Sequence, residues 1–187
     1  MKYISVDLET TGLSPRTDQV LQIAMVLEDT EENAPVEELP YINLYVTHER
    51  LEGHPTALLM NAGLLARIYD TDLDDDIWRG PEDQAWGWVA EWVRMRQFYT
   101  DGKKAKMVLA GKNVAGFDRH FFPAHVDNLF HHRVIDAGSV CVDWEQVYVP
   151  SLESLLRKME GPRSVTHDAL EDARDVVRVL RWHRQNT

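Results

Sequence analysis

Acidic side chains at three separate points of the chain have the types and spacing needed for metal-ion chemistry. Asp7 and Glu9 stand two residues apart at the end of the run Tyr3 to Leu8, which predicts a first strand. Side chains two residues apart leave the same face of a strand, so both carboxylates face one point. The pair alone is a weak indication of a metal site, because solvated acidic pairs are common.

The second acidic position is Asp118, which lies shortly after a predicted strand at Met107 to Ala110. The segment Asn113 to Asp118 begins at the carboxyl end of that strand, where α/β sheets usually hold their ligands. A second interpretation is that Asp118 only stabilises a helix N-terminus through the helix dipole. Both roles are compatible, because an acid in the first turn can also bind a cation.

The third segment opens the last predicted helix and contains three acids. Asp168 and Glu171 have the spacing of an N-cap residue and its partner three residues later, which predicts a capping role for them. Asp172 directly precedes the packed stripe of that helix, so it is the acid expected to face the cleft. His167 lies just outside the helix and can face the same cleft, although a histidine at a helix start is usually only a polar surface residue.

The acidic residues can meet only if a sheet brings the ends of these strands together. The sequence predicts five strands, of which the first three form a meander. The order of elements indicates an α/β fold with a mixed sheet flanked by helices. The predicted strands are Tyr3 to Leu8, Val20 to Leu27, 41–46, Met107 to Ala110, and Val134-Ile135 ending at Asp136. The predicted helices are Pro55 to Ile68, Pro81 to Tyr99, Phe117 to Phe130, Ser151 to Met159, and a last helix from Ala169 through Leu180.

Composition limits the remaining possibilities. With 187 residues of which 44% are hydrophobic, the chain is expected to form one domain over residues 1–187. Its one cysteine, Cys141, excludes an intramolecular disulfide and thiolate-built metal clusters, which fits a cytoplasmic protein. No stretch predicts a signal peptide or a membrane span. A formal net charge of −11 disfavours tight binding to long nucleic acid, so a nucleic-acid substrate is expected to be held by metals and a few contacts.

Two further groups of residues have both a functional and a structural interpretation. Trp86, Trp88 and Trp92 have the side chains to stack on bases, but aromatic residues at helical spacing more often belong to a core. Scattered basic residues either steer a phosphate backbone or only solvate an acidic protein, and the sequence leaves both open. They are Lys103, Lys104, Lys106 and Arg163.

The three acidic segments together resemble the exonuclease motifs of the DEDDh, DnaQ-like family. The matching segments are 6–13, Asn113 to Asp118 and His167 to Asp172, in that order across nearly the whole chain. The resemblance implies a ribonuclease H-like fold and a 3′→5′ exonuclease that releases nucleoside 5′-monophosphates. It implies that two divalent metal ions are bound by the four acids, Asp7, Glu9, Asp118 and Asp172.

The resemblance also assigns roles beyond metal binding. His167 is implied to be the general base, which suits a histidine because its ordinary pKa lies near neutral pH. All-oxygen ligation favours Mg²⁺ or Mn²⁺. Contact with the 3′-terminal nucleotide is implied for Thr10, Thr11, Gly12 and Leu13, and Asn113 is a further candidate for substrate binding.

The substrate stays open at this point. The stretch Gly111 to Val140 is similar to oligoribonuclease, which implies degradation of very short RNA and allows a homodimer, whereas Thr10-Thr11-Gly12 and Phe117-Asp118 look more like DNA-directed exonucleases. The expected partners are therefore 3′ ends of single-stranded nucleic acid or short oligonucleotides. Two other hypotheses are an inactive nucleic-acid-binding or polymerase-associated module and a hydrolase of small phosphodiesters.

Overall fold

The computed structural model describes residues 1–70, 72, 76–100, 102–161 and 167–187. Within these ranges the strands are β1 (Lys2–Thr10), β2 (Val20–Asp29), β3 (Tyr41–Thr47), β4 (Trp78–Pro81), β5 (Tyr99–Thr100), β6 (Lys103–Lys104), β7 (Met107–Gly111) and β8 (Phe130–Asp136). The α-helices are α1 (Pro55–Met60), α2 (Ala62–Tyr69), α3 (Glu82–Arg96), α4 (Ala124–Asp127), α5 (Ala137–Val140), α6 (Leu152–Glu160) and α7 (Ala169–Asn186). Short 3-10 helices occupy Val36–Glu38 and Asp118–Phe121.

One mixed sheet has the strand order β4-β3-β2-β1-β7-β8. The meander of β1, β2 and β3 is antiparallel as predicted, and β7 pairs in parallel with both β1 and β8. The prediction of five strands is corrected to six, because β4 pairs in parallel with β3 at the edge. This strand is only four residues long and contains Gly80 and Pro81, residue types that strands usually lack.

The side chains of β1 alternate between two hydrophobic clusters on opposite faces of the sheet. Ile4, Val6 and Leu8 belong to the same hydrophobic cluster as the buried residues of α3, and Tyr3 packs with α6 and α7 on the other face. Ser5, on the same face as Tyr3, donates its hydroxyl to the Ala173 carbonyl of α7 at 2.8 Å. Because strand side chains alternate, Asp7 and Glu9 also point to the face that α7 covers.

The helix predicted from Phe117 to Phe130 is wrong. A 3-10 helix at Asp118–Phe121 is followed by the one-turn helix α4, and Phe130 already begins β8. Pro123 is the physical reason, because proline has no backbone N–H to donate and the residue before a proline avoids helical geometry. The second acidic segment therefore lies on a tight turn and not on a long helix.

The helix predicted from Pro55 to Ile68 is divided into α1 and α2 at Asn61. The backbone of Asn61 leaves helical geometry, with φ −90° and ψ 12°. Its side-chain amide donates to the Thr10 carbonyl at 3.1 Å. This contact fastens the helix pair to the end of β1, where the acidic residues lie.

Helix α3 carries the three tryptophans. Trp86 and Trp92 are 3% and 7% exposed, which confirms the core interpretation for them, whereas Trp88 is 50% exposed. The predicted helix is too long at its end, since α3 stops at Arg96 and Tyr99 lies in β5.

Helices α6 and α7 begin as predicted. The Ser151 hydroxyl accepts a hydrogen bond from the Ser154 N–H at 3.2 Å. The Asp168 carboxylate accepts from the N–H groups of Leu170 and Glu171 at 3.1 and 3.3 Å. A side-chain acceptor at the N-cap satisfies N–H groups that have no partner inside the helix, and this fixes where α7 starts.

Three predictions concern the chain beyond its main sheet. Among the described residues, no helix has both the length and the apolar character needed to cross a membrane. Lys103 and Lys104 form the exposed strand β6, while Arg163 lies outside the described residues. The single domain over residues 1–187 stays a prediction.

Candidate active site

The site is built where β1 meets the start of α7. Asp7, Glu9 and Asp172 bring one carboxylate oxygen each to within 4.8 Å of one another, a spacing that suits a shared metal ion. Asp172 is in the first turn of α7, four residues after the capping residue Asp168, whose carbonyl accepts from its N–H at 3.0 Å. The cap at Asp168 therefore sets the rotation of the helix that turns Asp172 toward the strand.

Asp172 has a free acceptor inside this cluster. Its residue is 9% exposed, and its Oδ1 atom is buried without a hydrogen-bond partner among the described residues. A buried polar atom normally has a partner, because leaving it unpaired costs about 1–3 kcal/mol. The other capping candidate, Glu171, forms an ion pair with Arg174 at 2.7 Å and so has a structural partner.

Asp118 adjoins this set of three from the start of the 3-10 helix that follows β7. It is 2% exposed, and its Oδ1 atom accepts a hydrogen bond from the Leu8 N–H at 3.0 Å. Leu8 lies between Asp7 and Glu9, so this bond fixes Asp118 beside the acidic end of β1. The negative charge of Asp118 in turn raises the pKa of Asp7.

Burial and mutual repulsion shift all four carboxyl groups in the same direction. Burial, then the charges of Asp118, Asp172 and Glu9, raise the pKa of Asp7 well above its usual value. Burial, followed by the charge of Asp172, raises the pKa of Glu9 to about 7. Burial raises the pKa of Asp118 to about 7 and, with the charge of Asp175, that of Asp172 to about 6. Without added cations the cluster therefore holds protons near neutral pH.

Two residues that sequence reasoning missed contact or act on this cluster. Asn61 hydrogen-bonds the Glu9 side chain, which lowers the pKa of Glu9, and its Oδ1 atom is buried without a partner among the described residues. Lys112 lowers the pKa of Asp7, Asp118 and Asp172 through its charge. Lys112 directly follows β7, so the rule that ligands lie beyond strand ends was a signal for it, whereas nothing local marked Asn61.

His167 is exposed and directly precedes the capping residue of α7. It stands five residues before Asp172 in the chain, at the end of α7 that carries this acid. His167 and Asn113 are the two described non-glycine residues with positive φ, at 49° and 56°. Such backbone conformations are uncommon outside glycine and tend to gather at functional sites.

The turn after β1 holds the residues predicted to contact substrate. Thr10 and Thr11 are buried, and their hydroxyls are used internally: Thr10 donates to the Gly12 carbonyl at 2.7 Å, and Thr11 accepts from the Gln19 N–H at 2.8 Å. Leu13 is 83% exposed. The two threonines thus stabilise the turn, and Gly12 and Leu13 are the residues of the turn that are available to a ligand.

A cleft of about 660 Å³ opens beside this turn. Gly12 and Leu13 line it on one side, and His54, Pro55 and Met60 line it on the other. Its walls carry more apolar than polar surface, which suits the face of a nucleobase. A Cβ on Gly12 would stand 2.3 Å from a carboxylate oxygen of Asp18, so a side chain there would displace the Asp18 carboxylate, which accepts from the Ser14 N–H.

Asn113 occupies the start of the turn that leads to Asp118. Its N–H donates to Asp136 Oδ2 at 2.6 Å, and its carbonyl accepts from Gly116 and Phe117 at 2.9 and 3.0 Å. A Cβ on Gly116 would stand 2.4 Å from Asn113 Oδ1, so the amide packs closely on this glycine. The structure therefore gives Asn113 a role in the turn, and its contact with substrate stays a prediction.

Comparison with known proteins gives the same class of enzyme. The chain is 27% identical over 189 residues to the oligoribonuclease of Ectopseudomonas mendocina, covering 98% of this chain and 94% of that protein. It is 27% identical to the oligoribonuclease of Aliivibrio fischeri and 28% identical to that of Sodalis glossinidius, covering 98% of this chain and 93% of each relative. No family model matches the chain.

A solved structure, that of cell-death related nuclease 4 (CRN-4), superimposes with a TM-score of 0.67 at 13% sequence identity. The match covers 99% of this chain, which spans 64% of the length of that one. At this identity the likeness supports the fold, and it confirms the predicted ribonuclease H-like architecture with helices on both faces of a mixed sheet.

The fold and the buried acids define a nuclease of ribonuclease H-like architecture. The chain is a homologue of the oligoribonucleases, and the resemblance to the DEDDh exonuclease family is confirmed. It is an enzyme, a 3′→5′ exonuclease that hydrolyses phosphodiester bonds. Nucleases of this kind generally depend on divalent metal ions, and the buried acidic cluster agrees with that dependence.

Proposed function

We propose that this exonuclease removes nucleoside 5′-monophosphates from the 3′ ends of short single-stranded RNA, using two Mg²⁺ or Mn²⁺ ions held by Asp7, Glu9, Asp118 and Asp172. The observation that carries the proposal is the set of three carboxylates within 4.8 Å of one another, one of which keeps a buried oxygen without a partner. Two divalent ions match the charge of four carboxylates. One of them would also be the partner that the buried Asp172 Oδ1 atom lacks.

The residues fit a pair of hard cations. Their donor atoms are carboxylate oxygens, which favour Mg²⁺ and Mn²⁺ over zinc. When bound, such a pair lowers the pKa of an attacking water and stabilises the departing 3′-oxygen. The four carboxylates would hold the ions and balance their positive charge, and Asn61 orients Glu9 through its hydrogen bond.

His167 is proposed to take the proton of the attacking water. The residue is exposed and directly precedes Asp168, the cap of the helix that carries Asp172, so its ring can reach a water at the open side of the cluster. A base works best when its pKa is close to the operating pH, and an ordinary histidine satisfies that condition. The left-handed backbone at His167 keeps the residue outside α7, where the helix cap does not constrain its ring.

Short RNA is the substrate that the remaining observations favour. The curated relatives are named oligoribonucleases and match over nearly their whole length. The net charge of −11 repels long polyanions, whereas an oligonucleotide of a few residues carries little charge and needs few contacts. The cleft at Gly12 and Leu13 has room for a terminal base.

A homodimer stays part of the proposal, because the relatives are oligoribonucleases and this chain exposes a strongly apolar segment. Trp144, Val147 and Tyr148 are each at least 84% exposed. Large exposed apolar groups in one segment often mark a protein interface. Light scattering on the purified chain measures this directly, and a mass of one chain at micromolar concentration would contradict it.

The function is tested with 5′-end-labelled oligonucleotides of matched sequence. RNA and DNA of two, five and twenty nucleotides, single-stranded and duplex, are incubated with Mg²⁺, Mn²⁺ or a chelator. We expect stepwise shortening from the 3′ end, abolished by the chelator, with the highest kcat/KM on the shortest RNA. Internal cleavage or activity in the chelator would contradict the proposal, and faster turnover of DNA at every length would contradict its choice of RNA.

A further inference from the structure

Lys112 stands at the edge of the carboxylate cluster for reasons of backbone packing. It directly follows Gly111, the last residue of β7, which pairs with Asp136 on β8. A Cβ on Gly111 would lie 3.0 Å from the Val6 carbonyl, so the chain here presses against the residue before Asp7. The close approach, which a glycine permits, brings the next side chain to the acidic end of β1.

Lys112 also opens onto a second cleft, separate from the one at Leu13. This cleft has a volume of about 500 Å³ and is lined by Lys112, Asn113, Asp136 and Ser139, among others. The Asp136 carboxylate is already used, because its oxygens accept from the N–H groups of Asn113 and Ser139 at 2.6 and 2.8 Å. Lys112 itself is exposed and forms no ion pair within the part of the chain that the structure describes.

A bound phosphodiester leaves the site with an uncompensated negative charge, which the Lys112 ammonium can balance. Two divalent cations neutralise four carboxylates, and a phosphodiester then adds one negative charge that nothing compensates. Attack by a deprotonated water makes the transition state more negative than the substrate. A fixed positive charge at this place therefore stabilises the transition state more than the ground state, which raises kcat. The parallel register of β1 and β7, with Ser5 opposite Ala110, places Lys112 beside Asp7, two residues further along each chain segment.

We propose that the Lys112 ammonium group contacts a non-bridging oxygen of the scissile phosphate, which makes it a catalytic residue of this exonuclease. The proposal rests on the proposed function, since it places the phosphate at the carboxylate cluster. It assigns contact with the scissile phosphate to Lys112 and not to the exposed lysines of β6. Lysine suits this task because its ammonium is a compact donor with three rotatable hydrogens.

The test compares Lys112→Gln, Lys112→Arg and the control Lys2→Gln in steady-state kinetics at saturating Mg²⁺. Lys2 carries the same charge but lies at the opposite end of β1, where it pairs with Asp29 at 2.9 Å. Two substrates are used: a dinucleoside monophosphate, whose one phosphate is scissile, and a pentanucleotide with further phosphates. Binding of a nucleoside 5′-monophosphate in Ca²⁺ is measured in parallel, because it needs no turnover.

We expect Lys112→Gln to lower kcat on both substrates by about 10–100-fold with a smaller change in KM, since lost contacts to a developing charge have effects of this order. Lys112→Arg should recover most of the rate, and Lys2→Gln should match wild type. Nucleotide binding in Ca²⁺ should weaken several-fold in Lys112→Gln alone. The unfolding midpoint of each variant verifies that the fold is retained.

Several results would overturn this assignment. Unchanged kcat in Lys112→Gln would exclude the contact, and a loss restored by raising Mg²⁺ would show that Lys112 acts only on metal binding. A loss confined to the pentanucleotide would move the contact to another phosphate. If the wild type cleaves neither substrate, the proposed function fails, while the nucleotide-binding comparison still decides whether Lys112 binds a phosphate.

Discussion

Acidic side chains lie on two sides of α7, and the two groups differ in their partners. On the outer side, Arg174, Arg178 and Arg181 recur at helical spacing and pair with acids. Arg181 donates to both carboxylate oxygens of Glu28, at 3.0 and 2.6 Å. On the inner side lies the carboxylate cluster of Asp7, Glu9, Asp118 and Asp172.

The two sides show the difference between an acid that has a partner in the fold and one that keeps an oxygen without a partner. Glu28 is fully buried and bound by a planar guanidinium in a two-point contact, an arrangement that offsets the cost of burying its charge. Asp172 is nearly as buried and keeps an oxygen without a partner. In the proposed function, metal ions are the partners that the second group lacks, and substitutions on either side of α7 test this difference.

The largest expected effect is the loss of catalysis in Asp7→Asn. The amide is the same size but cannot neutralise a cation, so kcat/KM for a short RNA should fall by about 10⁴-fold, or roughly 5 kcal/mol of transition-state stabilisation. The variant should unfold at the same denaturant concentration as wild type or a higher one, because a buried repulsion is removed.

The matched control for this variant is Asp29→Asn, which makes the same chemical change at an acid paired with Lys2. Its activity should equal that of wild type. Equal activity in Asp7→Asn and Asp29→Asn would show that the unpaired cluster has no special role.

The next effect is on stability and comes from the outer side of α7. Arg181→Met leaves Glu28 buried without its partner, and breaking such a pair costs about 3–5 kcal/mol in the free energy of unfolding. Urea denaturation followed by circular dichroism measures this. At temperatures where the variant remains folded, its Mg²⁺-dependent activity should be close to that of wild type.

An exposed ion pair provides the reference for Arg181→Met. Arg157 pairs with Glu153 at 2.7 Å on α6, and both side chains are largely exposed. Arg157→Met should cost less than about 1 kcal/mol. If both variants lose the same stability, the buried pair has no greater structural role than a surface pair.

A smaller catalytic effect is expected at the edge of the cluster. His167→Ala removes the proposed base and should lower kcat by about 10²-fold, in the range of general-base contributions. The fall in rate at low pH that comes from protonation of this base should then be absent from the pH–rate profile of His167→Ala. Full activity and an unchanged profile in His167→Ala would remove this assignment.

The smallest expected effect is a pH dependence of stability in the chelated protein. The folded-state pKa values of Glu9 and Asp172 are raised, to about 7 and about 6, from ordinary values of 4.5 and 3.8. The folded state then binds more protons than the unfolded state between about pH 4 and pH 7, so these groups reduce stability as pH rises through that window.

Thermal melts in a chelator can measure this dependence. Asp172→Asn should melt about 2–6 °C above wild type at pH 8, and the difference should vanish toward pH 4. Saturating Mn²⁺ should remove the advantage of the variant, because it stabilises only the wild-type cluster. An advantage that is constant with pH would mean that the cluster does not carry the pKa shifts described above.

Much of the site could be predicted because its parts are local in sequence. Asp7 and Glu9 share a strand face by alternation, and the capping pattern at Asp168 separates Asp172 from its neighbours. Lys112 had only the general signal of a position just beyond a strand end, and Asn61 had no local signal, because their contacts depend on how β7, α1 and α2 pack against β1. Tertiary packing creates those contacts, and no spacing in the chain encodes them.

The errors in the fold have similar causes. The helix predicted after Phe117 does not form because Pro123 interrupts it, although the apolar pattern continues beyond the proline. The edge strand β4 has no alternation to detect in four residues and contains glycine and proline. Both errors lie next to the cluster or at the sheet edge, and the strands that carry the acids were predicted correctly.

The central claim is that the unpaired acids of the inner side bind two metal ions for catalysis. Calorimetric titration of Mn²⁺ into the chelator-stripped protein with a nucleoside 5′-monophosphate, at pH 7.5, tests it most directly. We predict two ions per chain for wild type and for Arg157→Met, and fewer than two, bound more weakly, for Asp172→Asn. Absence of Mn²⁺ binding in wild type, or the same isotherm in Asp172→Asn, would contradict the claim.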